Sequence, residues 1–180
     1  GDRRIGMPYC TLCGSAQAYF TDVPPEGFET LELRTSGLLS RSNKVMYEYH
    51  TKSVFDTFLG TALSGPLQEE GYQLDMTTVV ASTWGDWKVA YPDTTIVAED
   101  GGIGRSYPLD PLGGRDDDGP IFPIGAVDPR LPVQENVIGV ITDDGTAVAF
   151  PVEAARLAVS EDRVVELAGI QLGKLTVMRY

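Results

Sequence analysis

Cys10 and Cys13 are the two cysteines of the 180-residue chain, separated by Thr11-Leu12 and followed by Gly14. A Cys-x-x-Cys pair can close a short disulfide loop, hold a soft metal ion, or exchange electrons with another dithiol. Each use demands something more of the chain. A structural zinc site normally takes four protein ligands; the sequence offers two thiols and a single histidine, His50. Copper(I) is softer and accepts two thiolates, with a thioether or imidazole nearby as an occasional helper. Met7 precedes Cys10 by three residues, and Met46 and His50 follow further on. A Cu(I) or related soft-metal site on Cys10 and Cys13, with His50 as a speculative third ligand, is therefore one expectation. Thiol redox work, with Cys10 attacking and Cys13 resolving, is a second. A thioredoxin-like pair would sit at a helix N-terminus in a βαβ unit, whereas both flanks here read as extended. A structural pair in a non-enzymatic binding or assembly module is the third. The residues leave all three open.

Other chemistries fare worse. The chain has no Gly-x-Ser-x-Gly elbow, P-loop or dinucleotide-binding glycine fingerprint. With one histidine, a catalytic triad would have to use His50, which falls at a hairpin tip; a solvated turn residue is the plainer reading. The formal net charge is −12, with ten arginines and four lysines. That sign repels phosphate backbones, so nucleic acid is not an expected partner. Self-association or assembly with another chain stays open. No window reaches the roughly 18 consecutive apolar residues of a membrane span. Gly1-Asp2-Arg3-Arg4 runs straight into the cysteine stretch and does not read as a native start, so a processed or partial protein is expected.

The elements that must position the cysteines are short. Glycine (20) and proline (12) are plentiful, which suits many strands joined by turns. Residues 16–23 fit a strand ended by Pro24-Pro25-Glu26-Gly27, and 28–33 alternate like a half-buried strand. Val45–Tyr49 and Ser53–Leu59 form a hairpin around His50-Thr51-Lys52, and 72–80 read as a further strand. Ser82 or Thr83 can cap a short helix that carries Trp84 and Trp87 on one face and stops at Pro92. Both tryptophans are expected to be buried. Arg115-Asp116-Asp117-Asp118-Gly119 reads as a solvated acidic loop, since it lacks the ligand spacing of a calcium loop. Residues 136–152 give the clearest hairpin, turning at Asp143-Asp144-Gly145. A short helix over 153–159 and a strand pair of 163–168 with 174–178 follow. The fold class expected is mostly β, with a barrel-like or two-sheet core and one or two short helices. The division expected is a cysteine-motif β domain over 1–120 and a C-terminal β-hairpin module over 121–180, with the look of a partial internal repeat packed on the same core.

Several blocks carry a resemblance. Tyr9-Cys10-Thr11-Leu12-Cys13-Gly14-Ser15 is similar to the Tyr-Cys-Pro-Leu-Cys-Gly motif of the domain-of-unknown-function 3179 family of bacteria and archaea. Thr35-Ser36-Gly37-Leu38-Leu39 follows in family order, then Ser42-Asn43, Val45-Met46-Tyr47 and Gly65-Pro66-Leu67. Thr83-Trp84, Trp87 and Pro92-Asp93-Thr94 complete the series. The chain departs from the pattern at Thr11, where proline is usual, at Phe55-Asp56, where Trp-Ser is common, and at Tyr91, which replaces a frequent histidine. The resemblance assigns no activity. It implies an extracytoplasmic protein, where a disulfide would persist.

Overall fold

Strand outweighs helix by 32% to 14% in the computed structural model, which describes residues 2–96, 104, 106, 119–174 and 177. The mostly β class is therefore the observed one. The sheets are five and small, and none closes a barrel among the described residues. Turns interrupt the apolar runs every few residues, so each run contributes two to eight residues of strand rather than a long barrel stave. The chain folds as two compact units, Gly1–Val79 with Leu112–Gln134, and Val80–Pro111 with Glu135–Tyr180.

In the first unit, β1 (Ile5–Gly6), β4 (Ala18–Phe20) and β9 (Met76–Thr77) make a three-stranded antiparallel sheet with β4 central. β2 (Tyr9–Cys10) and β3 (Ser15–Ala16) make a two-stranded hairpin. β5 (Leu33–Ser40), β6 (Asn43–Glu48), β7 (Val54–Asp56) and β8 (Ala62–Ser64) form a meander in that order, followed by the one-turn helix α1 (Pro66–Glu69). Tyr19, Leu31, Phe55, Ala62, Leu67 and Leu74 are its buried core.

Two expectations shift here. The strand expected over 28–33 starts only at Leu33 and runs on to Ser40, because the β5–β6 turn is a tight one at Arg41-Ser42. Both turn residues take positive φ, 51° and 64°, the geometry of a type I′ turn without its usual Asn-Gly. The Thr35-Ser36-Gly37 block is a bulge: the register slips between Thr35 and Leu39, and the Ser36 hydroxyl closes it by donating to the Val45 carbonyl. The strand expected over 72–80 shrinks to β9, two residues long.

Gly65 shows why the Gly65-Pro66-Leu67 block has its composition. Its φ is +90°, and a Cβ there would lie 2.7 Å from the Ser53 Cα, so glycine alone fits. Pro66 starts α1, where a missing N–H costs nothing. The Leu67 N–H donates to Ser53 Oγ, which is fully buried.

The second unit begins at α2 (Trp84–Ala90), capped by Thr83 Oγ1, which accepts from the Asp86 N–H. The tryptophans are not buried as expected. Trp84 is 44% exposed and no residue of α2 is buried. The helix is instead pinned locally: Trp87 Nε1 donates to Thr94 Oγ1, and Tyr91 packs on the Trp87 ring at 4.4 Å. β10 (Val137–Ile141) and β11 (Ala147–Pro151) pair as the expected hairpin, followed by α3 (Val152–Ser160). β12 (Val165–Leu167) and β13 (Ile170–Leu172) pair across Ala168-Gly169, so the closing strand lies earlier than 174–178. Lys174 is already helical, and Val177 N–H donates to the Gly173 carbonyl. Ile138, Val148, Phe150, Val152, Ala155 and Val165 are among the residues that form this unit's own core. The acidic loop expected at 115–118 and most of the expected repeat over 173–180 lie outside the described residues.

Candidate functional site: a dithiol hairpin

β2 and β3 pair Tyr9 with Ala16 and Cys10 with Ser15, so Thr11–Gly14 is the hairpin connection. The Cys13 N–H donates to the Cys10 carbonyl at 3.3 Å and closes the first turn. Thr11 follows Cys10 in that turn, the place where proline presets φ, and threonine is compatible with it. Gly14 then takes φ +60°, a left-handed conformation that reverses the chain without a Cβ clash. The result is convergence. Cys10 Sγ and Cys13 Sγ lie 3.1 Å apart, in contact and not bonded.

The pair rests on the N-terminal end of β6. Cys13 Sγ donates toward the Ser42 carbonyl (3.3 Å) and Asn43 Oδ1 (3.4 Å), and the Ser15 hydroxyl donates to the same Oδ1 (3.3 Å). The Lys44 N–H donates to Cys10 Sγ at 3.3 Å. Asn43, 2% exposed, is held by a chain of bonds. Thr57 Oγ1 donates to the Lys44 carbonyl and accepts from Asn43 Nδ2 at 2.9 Å. That chain turns the amide oxygen toward the sulfurs.

The two thiols consequently differ. Cys10 is 3% exposed, whereas Cys13 is exposed. Burial opposes ionisation of Cys10, but the hydrogen bond from Cys13 and the N–H groups of Lys44, Leu12 and Cys13 outweigh it, and its pKa falls below the ordinary thiol value. Burial, together with the hydrogen bond to Cys10 and the charge there, pushes Cys13 up to about 12. The first proton lost by the pair leaves a thiolate on Cys10 and a thiol on Cys13.

His50 is not part of this arrangement. It follows the far end of β6, an exposed residue whose ring stands edge-on to Tyr49 at 5.3 Å. At about 3.3 Å per residue the five steps of β6 from Asn43 to Glu48 span roughly 16 Å, and His50 lies in the turn beyond that far end. Met7 is exposed and Met46 lies mid-strand in β6. Among the described residues no group of three or more His, Cys, Asp and Glu side chains gathers as a metal cluster, and no helix is long and apolar enough to cross a membrane.

Two features carried no sequence signal strong enough to assign them a role. The first is the Asn43–Thr57 support, although Ser42-Asn43 stood in the same family block as the strand beneath the cysteines. The second is Glu48, fully buried in β6. Its Oε2 accepts from the His50 and Thr51 N–H groups (2.9 and 2.7 Å) and the Thr51 hydroxyl, and Oε1 accepts from the Glu32 N–H. Burial opposes its ionisation, but these donors outweigh it and lower its pKa. Phe55, where the family often has tryptophan, is a fully buried core residue, and Asp56 Oδ1 caps the next turn by accepting from the Phe58 and Leu59 N–H groups.

No curated protein and no solved structure matches the chain. A family model does, over residues 1–172, which takes in the cysteine hairpin, its β6 support and most of the second unit. The chain belongs to the family described as a protein of unknown function (DUF3179).

Proposed function

We propose that the Cys10–Cys13 hairpin binds a soft monovalent metal ion, Cu(I) above all, in an extracytoplasmic domain that acts by binding rather than by catalysis. The observation that carries this reading is the convergence of two sulfurs on one turn with backbone N–H groups aimed at one of them. Donors of that kind stabilise a thiolate in the absence of a basic side chain, and thiolates are the preferred ligands of Cu(I). A donor set of two suits this ion and falls short of a structural zinc site. Metal–sulfur bonds of about 2.3 Å require the sulfurs to part to roughly 3.8 Å or more. The exposed position of Cys13 in its loop supports such a movement, with Cys10 remaining seated on β6.

When bound, the ion supplies only charge and sulfur affinity; the chain supplies the rest. Lys44 N–H orients Cys10, while Ser42 and Asn43 hold the Cys13 proton that must leave on binding. Reduced protein titrated anaerobically against a chromogenic Cu(I) chelator should take up a single ion per chain. The Cys10→Ser, Cys13→Ser double variant should take up none while keeping its β-rich circular dichroism spectrum. A reduced wild type that leaves the chelator fully loaded sinks the copper reading. Fractionation of cells that make the full-length protein tests the location.

A further inference from the structure

The cysteine hairpin supplies two sulfurs, and the fold brings two oxygens to the same place. Ser42, in the left-handed turn before β6, holds its carbonyl 3.3 Å from Cys13 Sγ and 3.9 Å from Cys10 Sγ. Asn43 holds Oδ1 3.4 Å from Cys13 Sγ. The orientation of that amide is set from behind. Its Nδ2 donates to Thr57 Oγ1, whose own proton goes to the Lys44 carbonyl, so the oxygen is the end that meets the sulfurs. A buried polar side chain locked by its neighbours is a donor already in position before any ligand arrives.

We infer that the two sulfurs, the Ser42 carbonyl and Asn43 Oδ1 form a four-donor site for a divalent ion of borderline softness, Zn(II) above all. The site shares its sulfurs with the copper reading but rests on the oxygens, which Cu(I) does not need. Zn(II) takes four donors in a tetrahedron, with bonds of about 2.3 Å to sulfur and about 2.1 Å to oxygen. The edges of that tetrahedron are about 3.8 Å between sulfurs and about 3.6 Å between sulfur and oxygen. The sulfur–oxygen distances of 3.3, 3.4 and 3.9 Å bracket the second value. The sulfur–sulfur contact, at 3.1 Å, has to open.

Charge points the same way. Two thiolates neutralise a divalent ion and leave a surplus negative charge on a monovalent one. Cys10 is buried, where a surplus charge is costly. Binding releases two thiol protons to solvent and changes no oxidation state. The Lys44 N–H then donates to a metal-bound sulfur, a contact of the kind that orients such ligands. The Ser15 hydroxyl keeps its bond to Oδ1, because an amide oxygen has a second lone pair for the ion. Cys13, the exposed member of the pair, leaves the ion a way in.

The probes are Zn(II), competed against a chromogenic indicator, and Co(II), whose visible spectrum reports coordination geometry. Both are applied to the reduced, metal-free chain. The wild type should bind a single ion of either kind, with intense tetrahedral Co(II) bands and thiolate charge transfer. The Cys10→Ser, Cys13→Ser double variant should lose both signals. Asn43→Leu should weaken Zn(II) by about tenfold or more, the least that losing an outer partner of a metal site costs, and by more than it weakens Cu(I). Asn43→Asp keeps an oxygen in place, with Thr57 able to donate to the other carboxylate oxygen, and should tighten Zn(II); it decides the point if Asn43→Leu does not fold. The inference is overturned by absent Zn(II) uptake, by an octahedral Co(II) spectrum, or by uptake that survives loss of both cysteines. Zn(II) affinity left unmoved by the folded Asn43 variants overturns it too. Zn(II) binding without Cu(I) uptake sinks the copper reading alone, and Cu(I) uptake without Zn(II) binding sinks this one alone.

Discussion

The two ends of β6 solve the same problem differently. Both place a polar side chain against the first unit's interior, Asn43 beside the cysteines and Glu48 at the other end. Around Glu48 the accounting is closed. Four donors meet its two oxygens, Thr51 bridges to Ser53, and Ser53 receives the Leu67 N–H, so the turn after β6 is tied to α1. Around the cysteines it is open. Cys13 faces acceptors and Cys10 faces a backbone donor, with the two sulfurs in contact and not bonded. A saturated buried network stabilises one conformation. A thiol pair on an exposed loop, without a closed set of partners, can take a ligand at small structural cost.

The sharpest way to break this contrast is to empty each end in turn. Glu48→Ala should destabilise the protein by about 3–5 kcal/mol, since two or more partly buried N–H donors lose their charged acceptor at roughly 1–3 kcal/mol each. Urea unfolding measures it. Gly65→Ala should cost about 2–3 kcal/mol through the same network, from left-handed strain and the collision with Ser53. At the open end the Cys10→Ser, Cys13→Ser double variant should cost about 1 kcal/mol, because serine oxygens can replace the sulfurs as hydrogen-bond partners. A double variant that unfolds would make the cysteine end structural too and erase the difference between the two.

Acid separates the ends further. The pKa of Glu48 is lowered in the folded state, so its stabilisation is fully present above the 4.5 of an unfolded glutamate and is lost as pH falls through the folded value. The stability gap between wild type and Glu48→Gln should therefore close in that acidic window. The cysteine end responds at higher pH. With Cys13 pushed up to about 12, Cu(I) must displace at least one proton near neutrality. Apparent affinity should then fall about tenfold or more for each unit of pH lowered, as read by the chelator competition. The smallest effect expected lies in the second unit. Trp84→Ala, at an exposed position, should alter stability by no more than about 0.5 kcal/mol. A loss of several kcal/mol there would mean that α2 is covered in solution.

Much was legible in the residues alone because it depends on neighbours in sequence. The turn at Asp143-Asp144-Gly145, the Thr83 cap three residues before Asp86, and the convergence of Cys10 and Cys13 ahead of a glycine are all local geometry. So is the β-rich class, which follows from short β-branched runs between glycines and prolines. What the tertiary structure decided depends on partners far along the chain. Arg41 and Ser42 accept positive φ because β5 and β6 are held in register on either side, which composition does not announce. The tryptophan spacing fits a buried face equally well as an exposed one, and α2 takes the second option. The cysteines rest on the start of β6 and His50 lies in the turn after its end, with a strand of roughly 16 Å of extended backbone between. The chemical difference between Cys10 and Cys13 arises from which sulfur meets the Lys44 N–H and which meets the Asn43 amide oxygen, more than 25 residues away in sequence. A two-residue spacing carries no trace of that, because hydrogen bonding and burial are properties of the folded surroundings.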